Sequence, residues 1–89
     1  MNLPGYDFAK QWGYSLSSYS SDRNSATYVK DFEECTIFLI VNIKGQGKLE
    51  RTIGLIRCIV EIGIPHPKFS MFENQLVSLA SSILTIVQQ

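Results

Sequence analysis

The chain has 89 residues, enough for one domain with a thin core, since at this size folding hides only about 60 to 65% of the unfolded surface. Apolar residues make up 45% and charged residues 18%, a globular profile that argues against disorder. Eight Lys and Arg offset eight Asp and Glu, so no net field draws in a polyanion or an acidic membrane surface, and neither nucleic acid nor membrane is an expected partner.

The first residues, Met1-Asn2-Leu3-Pro4-Gly5, carry neither the basic nor the apolar segment of a secretory leader, which points to a cytoplasmic setting. Pro4 suits the first turn of a short helix over Tyr6 to Trp12, with Phe8 and Trp12 four residues apart on one face. Tyr14, Leu16 and Ser18 alternate with Ser15, Ser17 and Tyr19 as in a half-exposed strand, and Ser20 to Asn24 reads as a turn. Residues 26–32 form an amphipathic or edge strand, with Tyr28, Lys30 and Phe32 on one side. Glu33-Glu34 makes a tight connection, its two carboxylates diverging rather than sharing a substrate. Cys35 to Ile43 is apolar in both alternating sets and belongs in the middle of a sheet.

Beyond Lys44-Gly45-Gln46-Gly47 the spacing of Leu49, Ile53, Ile56 and Val60 is helical, and it predicts a helix over residues 48–62 that stops at Gly63 and Pro65. A fourth strand is the alternative, favoured by the β-branched content of the stretch. Pro65-His66-Pro67 is a stiff linker. Ser70 and Glu73 then match a capping box and open a last helix from Met71 to Val87, with Phe72, Leu76, Leu79, Ile83 and Val87 in its apolar set. Residues 74–89 lack charge but hold several polar side chains and fall short of the ~20 apolar residues that cross a bilayer. The expected fold is α+β: a three-stranded antiparallel meander, or four strands in the alternative, packed against C-terminal helices.

Few residues suggest chemistry. Gly45-Gln46-Gly47-Lys48, between a strand and a predicted helix, is the candidate anion site, because N–H groups at a helix start can hold a phosphate. It matches neither the Walker A nor the dinucleotide spacing. His66 is the only histidine and, with Cys35 and Cys58, cannot complete a four-ligand zinc site, so no metal or cofactor is expected and the cysteines read as buried thiols. No nucleophile or acid-base constellation stands out, and the chain is not expected to be an enzyme. The excess of apolar surface on the last helix and the recognition-prone tyrosines Tyr14, Tyr19 and Tyr28 point instead to protein contact, with a homodimer or another protein as partner. An inhibitor, immunity protein, adaptor or chaperone would use the chain in this way.

Overall fold

A computed structural model describes the backbone of residues 3–87 and the side chains of residues 3–79. Helix α1 (Tyr6–Gln11) precedes five strands, β1 (Ser15–Tyr19), β2 (Ser25–Asp31), β3 (Thr36–Asn42), β4 (Gln46–Ile53) and β5 (Ile56–Gly63), and helix α2 (Phe69–Val87) follows them. The strands pair in chain order as an antiparallel meander. The α+β class holds and the short N-terminal helix is where the sequence places it, but the sheet has five strands rather than three or four, and a single helix follows it where two were expected.

The helix expected over 48–62 is a β-hairpin. Gly54, at φ 58°, and Leu55 form a two-residue turn that sets Ile53 opposite Ile56, the short connection that such a positive-φ glycine favours. The turn resets the alternation. Leu49, Arg51 and Ile53 share a face with Ile56, Cys58, Val60 and Ile62, while Arg57, Ile59 and Glu61 point the other way. An uninterrupted strand would mix charge into the apolar face; the hairpin removes most of that conflict, and the β-branched residues settle where their side chains pack best.

Register then fixes the core. Across the inner face run Leu16, Tyr28, Leu39, Leu49 and Val60 in one row, and Ala26, Val41, Gly47 and Ile62 in the next. Tyr28, Ile37, Leu39, Val41 and Leu49 are sealed from solvent, with Phe69 and Leu76 of α2 above them. Helix α1 seats the same face: Gly5 comes against Val41, and the Tyr28 hydroxyl donates to the Pro4 carbonyl. Phe8, Trp12 and Tyr14 gather around Phe69, with ring centroids 4.9, 5.3 and 5.9 Å from it. Such tilted and edge-on contacts join the two helices and the start of β1 into one cluster.

Three charged side chains also lie on this face. Glu73 is buried and accepts the Tyr14 hydroxyl at 2.8 Å, with Lys30 Nζ 4.0 Å away. Lys30 also donates to the Trp12 carbonyl at 3.0 Å. Arg51 lies buried beneath α2 and donates from Nη1 to the Leu76 carbonyl at 3.0 Å. The predicted capping box is therefore not formed: α2 begins at Phe69, and the Glu73 carboxylate is engaged by Tyr14. No helix among the described residues is long and apolar enough to cross a membrane.

Candidate functional site

Both helices occupy the inner face of the sheet, and no described element lies over the outer one. Register sets Ser15, Val29, Phe38, Glu50 and Ile59 side by side there, with Thr27, Ile40, Lys48 and Glu61 in the next row. The outcome is an apolar patch on β2 and β3 bordered on the β4–β5 side by a balanced set of charges, with Ile59 among them. Phe38 keeps 36% of its surface open, a large value for a side chain in the middle of a sheet, and Ile59 on the edge strand keeps 43%. Val29 and Ile40 are half-buried beside Phe38, and Glu50 lies between Phe38 and Ile59.

Four charged groups border the patch on the β4–β5 side. Arg57 donates from Nε to Glu50 Oε1 at 2.7 Å across the β4–β5 hairpin, and Lys48 and Glu61 stand directly opposite one another. Charge pairs at such exposed positions add little stability. They do keep a partly apolar surface wet. Between them the twisted sheet forms a shallow depression of about 650 Å³, lined in part by Ile40, Lys48, Glu50, Arg57, Ile59 and Glu61. It is broad and open, unlike the enclosed cavities that hold small ligands.

The residues singled out in the sequence fall in different places. Tyr14 and Tyr28 are core side chains, and burial pushes the Tyr14 hydroxyl far above its ordinary range, with its hydrogen bond to Glu73 adding to the shift. Burial also raises Tyr28, with Tyr6 and Asp7 as smaller causes. Neither ring is on the surface. Tyr19 is exposed at the end of β1. On α2, Leu76 is buried and Phe72 half-buried, whereas Leu79 is half-exposed beside Ser70, Asn74, Gln75 and Ser78. Through Leu79 the helix is amphipathic, and of its apolar side chains Met71 and Leu79 remain exposed. The side chains of Ile83 and Val87 lie outside the described residues.

The glycine loop is also explained by the hairpin. Gly45, at φ 78°, belongs to the β3–β4 turn, where the Asn42 side chain accepts the Lys44 and Gln46 N–H groups at 2.9 and 3.1 Å. A side chain at Gly47 would meet Ile64 Cγ1 at 2.6 Å, so this position closes β4 against the chain leaving β5. Lys48 sits within a strand on the outer face, and the helix N-terminus on which anion binding depended is not there.

Other candidates serve local structure. His66 Nδ1 accepts the Lys68 N–H at 3.0 Å, and its ring meets Phe72 edge-on at 5.3 Å. Cys35 and Cys58 are half-buried free thiols, and burial pushes the Cys35 thiol up. Among the described residues no group of three or more His, Cys, Asp or Glu is placed to hold a metal ion. Set against family models, curated proteins and solved structures, the chain finds no match.

Sequence reasoning missed Phe38, Glu50, Arg57, Ile59 and Glu61 as one surface. The signal was there in part: Phe38 lies in a strand apolar on both faces, which implies either a second covering layer or an open apolar face.

Proposed function

We propose that the chain is a non-catalytic protein-binding module, of the kind used by inhibitors, immunity proteins, adaptors or chaperones, and that its outer sheet face is the binding surface. The observation carrying this reading is the apolar cluster Val29, Phe38 and Ile40, with Ile59 beyond Glu50 in the same row, at a place no described element covers. Protein interfaces are built this way, with an apolar or aromatic centre and a polar rim that fixes orientation. Lys48 and Arg57 against Glu50 and Glu61 give a rim of mixed sign, which suits a folded protein partner better than a polyanion. Free thiols at Cys35 and Cys58 fit a reducing compartment such as the cytoplasm.

The test uses tagged protein in an extract of the native host. Phe38→Lys removes the centre of the surface and leaves the inner face intact. A protein retained by the wild-type chain and lost with Phe38→Lys, at an unchanged melting temperature, is the expected result. Equal retention by both would place the binding surface elsewhere.

A further inference from the structure

The two edges of the sheet are unlike. Strand β1 has five residues, three of them Ser, and its pairing with β2 shifts register between Leu16 and Ser18. Shortness, polarity and a bulge are the devices that keep an edge from pairing. Strand β5 has eight residues, Ile56-Arg57-Cys58-Ile59-Val60-Glu61-Ile62-Gly63, and pairs with β4 without interruption. Its substantial packing among the described elements is with β4 alone. Neither shortness nor a bulge protects it, and its two charges, Arg57 and Glu61, are of opposite sign.

The direction of its backbone groups is fixed. Ile64 donates its N–H to the Gly45 carbonyl at 2.7 Å, so the even-numbered residues of β5 face β4 and Arg57, Ile59 and Glu61 turn their N–H and C=O groups to the open edge. The same three residues carry the charge pattern of the edge. We propose that β5 pairs antiparallel with β5 of a second copy of this chain, about a two-fold axis at Ile59, joining the two meanders into one continuous sheet.

Charge complementarity selects both the partner and the register. With Ile59 opposite its own copy, Arg57 of each chain stands opposite Glu61 of the other, in pairs that exchange both backbone hydrogen bonds. Sliding by one allowed step in either direction sets a charge against Ile59. Sliding by two sets Arg57 against Arg57, or Glu61 against Glu61. Only the centred register satisfies both charges, and it does so twice by symmetry. Arg57 is exposed enough to keep Glu50 while it accepts a second carboxylate from the facing chain. The pairing uses the backbone edge of β5 and shares the Arg57, Ile59 and Glu61 side chains with the proposed outer-face surface. Mass and cross-linking experiments nevertheless test it with this chain alone, whatever the outer face binds.

Two experiments test it. The first is absolute mass by light scattering after gel filtration, in reducing buffer over a wide concentration range. Wild type should run at twice the chain mass, and Arg57→Glu and Glu61→Arg should each run as monomers, because each sets like charges against one another. Mixed, the two variants should recover the doubled mass, since one edge now carries only carboxylates and the other only guanidinium groups. A wild-type monomer throughout the range, or a dimer indifferent to both substitutions, would overturn the proposal.

The second experiment reads register and does not depend on the charge variants folding. In the centred register Val60 lies opposite the partner's Cys58 in a non-hydrogen-bonded pair, with Cα atoms about 4.5 Å apart, within disulfide reach. Cys58 lies diagonal to the partner's Cys58, about 7 to 8 Å away and out of reach. With Cys35 replaced by Ser, Val60→Cys should therefore form a covalent dimer on mild oxidation, and the same chain with Val60 intact should not. Val60→Cys in a chain that also carries Cys58→Ser should stay monomeric on the denaturing gel. Cross-linking through Cys58 alone, or none with Val60→Cys, would refute the pairing.

Discussion

Leu39 and Phe38 are neighbours on β3, yet Leu39 is sealed from solvent while Phe38 keeps over a third of its surface open. The difference is one of layers: two helices and an aromatic cluster lie over the face of Leu39, and no described element lies over that of Phe38. A strand apolar on both faces commonly has cover on both. Here no described element supplies the second cover, and an apolar patch bordered by balanced charges on β4 and β5 takes its place. One face holds the molecule together and the other is spare.

The largest expected break in this contrast comes from truncating each neighbour. Leu39→Ala should cost about 2 to 5 kcal/mol, the range for a large aliphatic side chain removed from a tight core. Phe38→Ala should cost less than about 1 kcal/mol, as at a surface site. Urea unfolding of both variants checks the pair, and similar losses would show that the outer face is part of the core.

Next in size is the buried polar contact on the inner face. Tyr14→Phe leaves the Glu73 carboxylate buried without its hydroxyl donor, a loss of about 1 to 3 kcal/mol. The same contact has a pH signature. The folded state raises the Tyr14 pKa, by burial first and by Glu73 second, so it holds the hydroxyl proton more tightly than the unfolded chain does. The stabilising contribution is thus fully present below about pH 10, the ordinary pKa at which an unfolded tyrosine is half ionised, and drains away as pH rises towards the raised folded value. Stability measured against pH should fall on the alkaline side for wild type and fall less steeply for Tyr14→Phe.

The smallest effect lies far from both faces, in the β1–β2 turn. The Ser20 hydroxyl donates to Asp22 at 2.6 Å and the Asn24 N–H at 3.0 Å, and together they hold the Asp22 carboxyl below its ordinary range. Here the sign reverses. The turn is favoured at pH values above about 4 and loosens as pH falls through the lowered folded value. A carboxyl-detected NMR titration should show Asp22 ionising at a lower pH than in Ser20→Ala.

Much of this fold is legible in the sequence. Strands β1 to β3 and both helices announce themselves through alternation, proline placement and helical spacing. The β4–β5 hairpin hides because Leu49, Ile53, Ile56 and Val60 fall by accident at helical intervals, and because its turn is only Gly54-Leu55, without the Asn-Gly or Asp-Gly signal of many tight hairpins. Arg51 deepens the disguise, since a buried arginine reaching a helix carbonyl breaks the apolar alternation from which a strand is read. The candidate site was less legible for the same reason. Tyr14 and Tyr28 suggested a surface by residue type, but their burial depends on where α1 and α2 settle. Glu50, Arg57, Ile59 and Glu61 become one surface only once the hairpin sets their register.

Titrating the isotope-labelled chain with the protein it retains from its host, and following backbone amide shifts, shows whether the outer face is the binding surface. The largest changes are expected at Val29, Phe38, Ile40, Lys48 and Ile59, with α1 and the inner rows little moved. Changes concentrated on α2 or around Tyr14, with Phe38 and Ile59 silent, would contradict that placement.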